Sequence, residues 1–191
     1  MSLQLCSAVF LDRDGVINRK APEGEYIRHW NEVEFIPGAV EAIVRLSSKG
    51  FKLFVVTNQR GIARRIVSES NVNVIHRRML ESISKAGGSV THIYYCPHDY
   101  SDNCDCRKPK PGMLIRAATE HGVLLGSSWM VGDTESDVKA GKSVGCKTLQ
   151  IVDVEPVATI VKPDAYVRDL SGAAAFILRS FNRILNTAVG G

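Results

Sequence analysis

No stretch of this 191-residue chain approaches the ~20 consecutive apolar residues that a membrane helix requires. The chain does not start with a basic segment followed by an apolar core, so a secretory signal peptide is not expected. The 24 Lys and Arg residues outnumber the 20 Asp and Glu residues only slightly, and they form no tract typical of nucleic-acid binding. Internal repeats and low-complexity segments are also lacking. We therefore expect a monomer of the cytoplasm with no membrane or nucleic-acid partner.

Cysteine is scarce, and its number is odd. There are five cysteines, and three of them cluster at Cys96, Cys104 and Cys106. Without an export signal, this cluster favours metal binding in a reducing compartment over a framework of disulfides.

The chain instead contains an alternation of short apolar runs and amphipathic segments. Runs typical of buried strands recur at 8–12, 52–57, 91–96, 128–133, 147–152 and 165–167. Helical spacing of apolar residues is found at 38–50, 68–86, 112–122, 134–145 and 170–186. Strands that alternate with helices predict βαβ units and a mostly parallel sheet. We expect an α/β protein whose single Rossmann-like domain spans residues 1–191, with helices flanking the sheet.

The first apolar run is followed by the sequence Asp12-Arg13-Asp14-Gly15. Two aspartates two residues apart would leave the sheet at its carboxyl end, where open α/β sheets bind their ligands. Such a pair can hold Mg²⁺, and one carboxylate can attack phosphorus while the other moves a proton. An EF-hand loop begins similarly, but it needs further acidic ligands, and residues 16–19 are Val-Ile-Asn-Arg.

Three more motifs follow later strand-like runs. Thr57, at the end of the second run, can hydrogen-bond a phosphate oxygen, although threonine at a strand end is also a common helix cap. Lys108, in the sequence RKPKPG, can neutralise a phosphoryl group or belong to a solvated basic turn. Asp133 stands where a third metal carboxylate would join Asp12 and Asp14, or where an aspartate would cap a helix.

A metal-binding pattern precedes Lys108. Cys96, His98, Cys104 and Cys106 form a C-x-H…C-x-C set, which provides the four ligands of a closed tetrahedral Zn²⁺ site. Such a site would be structural, because no coordination position remains for water, and it would fold a proline-rich loop at about 96–111. The alternative is a group of reduced cysteines beside a surface histidine.

The order of these motifs resembles the haloacid dehalogenase (HAD) superfamily of phosphohydrolases, from about residue 8 to about residue 170. The stretches FLDRDGVIN, VVTNQRGIAR, YYCPH and CDCRKPKPGM look like the D-glycero-D-manno-heptose 1,7-bisphosphate 7-phosphatase family. Histidinol-phosphate phosphatases share the zinc signature. The resemblance implies a fold without a large cap domain and removal of the C7 phosphate from a heptose bisphosphate.

The resemblance also implies roles for the residues of these motifs. Asp12 would be the nucleophile that forms an aspartyl-phosphate, and Asp14 the general acid and then base, which requires a protonated Asp14 at the start. Mg²⁺ would bind Asp12, the main-chain carbonyl of Asp14, and Asp133. Thr57 and Lys108 would stabilise the phosphoryl oxygens.

Four residues are expected to contact the substrate: Asn58, Gln59, Arg60 and Arg107. Arg60 replaces a serine common in the family, and we hypothesise that Arg60, Arg64 or Arg65 favours a second phosphate; these arginines could equally be solvated. Asp137 is interpreted as a residue close to the metal or as an exposed helix acid. Arg13 receives no chemical role, and His76 is expected to have only a surface or packing role.

Two alternatives remain open at this point. The same chemistry would suit histidinol phosphate or another small phosphate ester. A zinc-stabilised binding module without catalysis is also possible, for example for nucleic acid given the pI of about 8.8. Magnesium-dependent phosphate release from a panel of substrates distinguishes these functions.

Overall fold

The computed structural model describes residues 6–154 and 160–189, with side chains described up to residue 183. Its strands are β1 (Ala8–Leu11), β2 (Lys52–Asn58), β3 (His92–Cys96), β4 (Trp129–Gly132), β5 (Lys147–Ile151) and β6 (Ala165–Val167). Its α-helices are α1 (Ala39–Ser47), α2 (Glu69–Lys85), α3 (Gly112–His121), α4 (Glu135–Ser143) and α5 (Leu170–Val189). Short 3₁₀ turns lie at Trp30–Glu32, Tyr100–Asp102 and Leu125–Ser127. Every strand and helix expected from the sequence is present, with only small shifts at the ends.

The six strands form one parallel sheet in the order β3-β2-β1-β4-β5-β6. Leu11 at the end of β1 is in register with Val55 of β2 and Val131 of β4. From β1 the chain adds β2 and β3 on one side, and it then returns to add β4, β5 and β6 on the other side of β1. The switch point therefore lies between the neighbouring strands β1 and β4. In doubly wound sheets this switch point opens a crevice at the carboxyl ends of the strands.

Both faces of the sheet are covered, which explains why the central strands are continuous apolar runs. In β1, Val9 and Leu11 belong to a core cluster shared with α1 and α5. Their neighbours Ala8 and Phe10 point to the other face and pack with residues of α3 and α4. All four side chains are fully buried, as expected for a central parallel strand with helices on both sides.

Two long connections lie at the carboxyl edge of the sheet. In the first, which joins β1 to α1, the rings of Trp30 and Phe35 pack edge to face with centroids 6.2 Å apart, and both pack against the core. The second, residues 97–111, contains the cysteine cluster. Within the described parts of the chain, neither connection forms a large cap domain. Among these same residues, none of the helices combines the length and apolar character needed to span a bilayer.

Candidate active site

Three carboxylates converge at the switch point of the sheet. Asp12 directly follows β1, and its backbone N–H donates to the carbonyl of Val131 in β4 at 2.9 Å. Asp133 follows β4, and Asp137 lies in the first turn of α4. One carboxylate oxygen from each of the three aspartates lies within 4.8 Å of the others. The structure therefore brings Asp133 beside Asp12, as the sequence predicted, and adds Asp137 to the group.

A buried lysine binds two of these carboxylates. The Nζ atom of Lys108 lies 2.8 Å from Oδ1 of Asp12 and 2.6 Å from Oδ1 of Asp137, and it donates to the carbonyl of Val56 at 2.7 Å. Burial alone would lower the pKa of Lys108, but the charges of Asp12 and Asp137 raise it above its ordinary value. Lys108 is therefore a fixed ammonium group that pairs with two carboxylates and donates to one carbonyl.

Asn58 at the end of β2 holds the backbone of Lys108 in place. Its Nδ2 donates to the Lys108 carbonyl at 3.0 Å, and its Oδ1 accepts from the Lys108 N–H at 3.1 Å. Asn58 was predicted to contact the substrate, but both ends of its side-chain amide bond the backbone of Lys108. We assign Asn58 to the positioning of Lys108.

Asp137 is buried, so its interpretation as an exposed helix acid is wrong. Its Oδ2 accepts from the N–H of Thr134 at 3.1 Å and from the Thr134 hydroxyl at 2.6 Å, which caps α4. A Cβ atom on Gly132 would lie 2.2 Å from the Cβ of Asp137, so β4 must end in glycine for Asp137 to pack there. The Thr-x-x-Asp spacing is the sequence signal that could have indicated this inward position.

The positive charges near Asp12 and Asp133 do not fully offset the burial of their carboxylates. Burial raises the pKa of Asp12 to about 7 despite the opposing charge of Lys108, and Asp137 adds to the rise. Burial also raises the pKa of Asp133, although an ion pair with Lys20 opposes it. Oδ1 of Asp133 is buried and has no hydrogen-bond partner among the described residues. An all-carboxylate donor set with an unpartnered oxygen fits a hard divalent cation such as Mg²⁺.

The carboxylate of Asp14 is not part of this cluster, and it is held as an anion. Arg13 forks around its carboxylate, with Nη2 at 2.8 Å from Oδ2 and Nε at 3.1 Å from Oδ1. Asn18 and Gln59 donate to the same carboxylate at 2.9 and 3.2 Å. Burial acts to raise the pKa of Asp14, but Arg13 and these hydrogen bonds hold it below its usual value. The structure therefore favours an ionised Asp14, whereas the role of general acid requires a protonated Asp14 before the first step.

The arginine of this fork is itself positioned by a buried histidine on α2. Arg13 is 2% exposed, and its Nη1 lies 3.1 Å from Nε2 of His76. Because a guanidinium can only donate, Nε2 must accept, and His76 must be neutral. Burial and the Arg13 charge lower the pKa of His76 to about 3, in agreement with this. No chemical role was predicted for either residue, because nothing in the local sequence indicates that Arg13 and His76 meet.

Thr57 and Gln59 join the end of β2 to Asp14. Thr57 is buried, and its Oγ1 accepts a hydrogen bond from Nε2 of Gln59 at 2.9 Å. The same amide reaches Asp14, as described above. A cleft of about 270 Å³ opens here, lined by Asp14, Asn58, Gln59 and the segment 20–27. Among the described residues, the Thr57 hydroxyl donates no hydrogen bond of its own, so its hydrogen can serve a phosphate oxygen.

The predicted zinc ligands come together. Sγ of Cys104 lies 3.5 Å from the Sγ atoms of Cys96 and of Cys106. Nδ1 of His98 lies 3.6 Å from Sγ of Cys96 and 3.2 Å from Sγ of Cys106. Zn–S bonds of ~2.3 Å give a tetrahedron with edges of ~3.7 Å, so the group fits Zn²⁺. All five cysteines of the chain lie among the described residues, and none of them forms a disulfide.

Arg60 and Arg107 lie together at the rim of the site. Nε of Arg60 pairs with Oδ1 of Asp99 at 2.5 Å, and Nη1 of Arg107 donates to the carbonyl of His98 at 3.3 Å. The guanidinium carbons of the two arginines lie over the ring of Tyr100, 4.5 and 4.3 Å from its centroid. These two predicted substrate contacts are therefore neighbours, although 47 positions separate them in the sequence.

Comparison with known proteins agrees with this geometry. A family model described as HAD-hydrolase-like matches residues 105–173. The D-glycero-beta-D-manno-heptose-1,7-bisphosphate 7-phosphatase of Pseudomonas aeruginosa is 43% identical over 157 residues, which cover 82% of this chain and 87% of that protein. The protein of the same name from Helicobacter pylori is 37% identical over 153 residues, covering 80% and 87%.

A solved structure shows the same fold. The D,D-heptose 1.7-bisphosphate phosphatase from B. bronchiseptica, complexed with magnesium and phosphate, superposes with a TM-score of 0.81. It is 29% identical, and the alignment covers 92% of this chain and 99% of that one.

A doubly wound parallel sheet with this carboxylate and lysine group at its switch point defines a HAD-type phosphatase, an enzyme that hydrolyses phosphomonoesters. Within that class, the chain belongs to the family of the D-glycero-beta-D-manno-heptose-1,7-bisphosphate 7-phosphatases. The family resemblance inferred from the motifs is confirmed. The alternative of a binding module without catalysis finds no support.

Proposed function

We propose that this protein removes the C7 phosphate of D-glycero-D-manno-heptose 1,7-bisphosphate. The observation that carries the proposal is the convergence of Asp12, Asp133 and Asp137 beside Lys108, in a chain 43% identical to an enzyme named for this reaction. The names of the relatives favour the beta anomer as substrate.

The carboxylate group is proposed to hold Mg²⁺ through Asp12, Asp133 and the main-chain carbonyl of Asp14. The bound ion would supply positive charge to the phosphoryl group and to the buried carboxylates. Oδ1 of Asp133, which is buried without a hydrogen-bond partner among the described residues, would gain such a partner.

Asp12 is proposed as the nucleophile. Its Oδ1 is held by Lys108 and by the backbone N–H of Arg13 at 2.8 Å, so the carboxylate cannot rotate freely. We assign the attack to Oδ2, which forms a bond to phosphorus while the bond from phosphorus to the C7 oxygen breaks. Water then attacks the aspartyl-phosphate, which releases phosphate and restores Asp12.

Asp14 is proposed to handle the protons of both steps. It would give a proton to the departing C7 oxygen and then take one from the attacking water. Because Arg13, Asn18 and Gln59 hold Asp14 as an anion, its proton must arrive together with the phosphate ester. The second step requires no such change, since the anion is already the base.

Two further groups are proposed to stabilise the oxygens of the transferring phosphoryl group. The hydroxyl of Thr57 can donate to one of them, because its oxygen already accepts from Gln59. The Lys108 ammonium is fixed beside Asp12 and needs no rearrangement when charge develops. Catalysis here rests on position and charge, as is usual for phosphoryl transfer.

A structural Zn²⁺ is proposed at Cys96, His98, Cys104 and Cys106. Four protein ligands leave no open position, so this site would order the loop rather than take part in chemistry. Only one residue separates Cys106 from Lys108, so an ordered loop also fixes the lysine. Three more expectations remain part of the proposal: a cytoplasmic location, a monomer, and one domain over residues 1–191.

The test is steady-state phosphate release with Mg²⁺ from both anomers of the heptose bisphosphate, histidinol phosphate and fructose 1,6-bisphosphate. We expect kcat/KM for one heptose anomer to exceed the other values by at least ~100-fold, which corresponds to ~2.7 kcal/mol of transition-state preference. An equal or higher value for histidinol phosphate would overturn the proposed substrate. Phosphate release that does not depend on Mg²⁺ would overturn the proposed mechanism.

A further inference from the structure

The loop that carries the cysteine cluster displays an aromatic side chain that the chemistry above does not use. Tyr100 begins the 3₁₀ turn Tyr100–Asp102 and is 67% exposed. Its ring is nevertheless in contact with protein, because the guanidinium groups of Arg60 and Arg107 both lie over it. Like charges repel, so the attraction of each guanidinium to the ring helps to keep these two cations together.

The position of Tyr100 is fixed by Asp99. Oδ1 of Asp99 accepts from the backbone N–H of Tyr100 at 2.6 Å, and the Asp99 N–H donates to Oδ2 of Asp102 at 2.7 Å. The same Oδ1 atom accepts from Nε of Arg60 at 2.5 Å. One carboxylate oxygen therefore ties the turn, and so the ring, to Arg60 on the loop after β2.

Arg107 is fixed from the other side of the loop. Its Nη1 donates to the carbonyl of His98, and its Nε is buried without a hydrogen-bond partner among the described residues. A buried donor without an acceptor indicates a place that a ligand can satisfy. Arg107 also lies between the proposed zinc ligand Cys106 and the site lysine Lys108, so it cannot move far from the reacting phosphate.

The guanidinium groups at Tyr100 are suited to a phosphate. They lie beside two carboxylates, of which Asp99 pairs with Arg60 and Asp102 accepts from the Asp99 backbone N–H. The face of an aromatic ring attracts cations, which offsets the repulsion between the two arginines. Guanidinium forks match phosphate oxygens in geometry, and donors held in place before binding lose little freedom when the ligand arrives.

We propose that Tyr100 is a positioning residue that holds Arg60 and Arg107 together as the receptor for the second phosphate of the substrate. This inference rests on the proposed function, in which the first phosphate reacts at Asp12. Arg60 directly follows Gln59, and Arg107 directly precedes Lys108, so both arginines start from the edge of the catalytic group. The ring thus makes a bisphosphate a better ligand than a monophosphate.

The test compares Tyr100→Leu, which removes the ring, with Tyr100→Phe, which keeps it. Values of kcat and KM are measured for the heptose 1,7-bisphosphate and for the heptose 7-phosphate, which lacks the second phosphate. We expect Tyr100→Leu to raise KM for the bisphosphate ~10-fold, or ~1.4 kcal/mol, with kcat and the monophosphate KM unchanged. Tyr100→Phe should behave as the wild type.

A control removes a similar contact elsewhere. The guanidinium of Arg116 on α3 lies 5.4 Å from the centroid of the Tyr94 ring, and Arg116→Leu should leave both KM values unchanged. The positioning role is overturned if Tyr100→Leu changes neither KM, changes both equally, or is not rescued by phenylalanine.

Failure of the proposed function gives a different result. If wild-type protein hydrolyses fructose 1,6-bisphosphate better than the heptose compound, the substrate is wrong. The same variants are then compared on fructose 1,6-bisphosphate and fructose 6-phosphate. A ~10-fold rise in KM for the bisphosphate alone still supports the role of Tyr100, and an unchanged KM overturns it.

Discussion

Replacement of Asp137 by asparagine tests whether its buried charge holds the site together. Asparagine keeps the size of the side chain and can still accept the hydrogen bonds from Thr134, but it removes the charge that faces Lys108 at 2.6 Å. Loss of one partner from a buried ion pair typically costs ~3–5 kcal/mol. Because Lys108 would keep Asp12 and the carbonyl of Val56, we expect the lower end, about 3 kcal/mol.

Thermal and denaturant unfolding measure this effect. For a chain of this size, 3 kcal/mol corresponds to a fall in Tm of ~6–12 °C. The matched control is Glu135→Gln in the same turn of α4, where a half-buried pair with Lys139 at 3.2 Å should contribute less than ~1 kcal/mol. We also expect a lower kcat for Asp137→Asn, although less than the ~10²–10³-fold expected for loss of Lys108 itself. Equal, small losses of stability in the two variants would refute the reasoning.

Three other outcomes are expected. Asp12→Asn should abolish phosphate release while circular dichroism and Tm show a folded protein; a near-native rate would exclude Asp12 as the nucleophile. The pKa of His76 is about 3 in the folded protein and ~6.5 when unfolded, so only the unfolded state takes up its proton as pH falls below ~6.5. His76→Gln should therefore lose about 2 kcal/mol less stability than wild type between pH 7 and pH 5 in denaturant titrations, and parallel pH profiles would contradict this. Removal of the proposed zinc by a chelator, checked by metal analysis before and after, should lower both Tm and kcat, because the loop that carries Lys108 would lose its order. Unchanged Tm and kcat after the metal is removed would contradict a structural role for the site.

The fold was predictable because its central strands are buried on both faces. Residues 8–11 and 129–132 are apolar at every position except a closing glycine, and they are separated by segments with helical spacing. Such a pattern admits few arrangements other than a parallel sheet between layers of helices. The strand order could not be read in the same way, since each apolar run would pair equally well with several others.

The site was predictable where a residue with a catalytic or metal-binding side chain lies at the end of a predicted strand. Asp12 and Asp133 each follow a strand, Thr57 is the second-last residue of β2, and parallel strands end at the same edge of the sheet. Asn58 also lies at a strand end, but it has a different role. Its side chain bonds the backbone of Lys108, whose own side chain reaches the catalytic group. Sequence position alone cannot tell a ligand of the substrate from a ligand of the backbone.

The sequence by itself determined the class of fold, the nucleophile candidate, the convergence of Asp133 on it and the four residues of the proposed zinc cluster. Each of these follows from short-range spacing or from a position at the end of a parallel strand. Only the tertiary structure decided that Asp137 is buried against Lys108, that His76 orients Arg13, and that Tyr100 joins two distant arginines. The physical reason is the same in each case. These contacts form between segments that are brought together by the packing of helices on the sheet, and the burial that gives each charge its partner exists only after that packing.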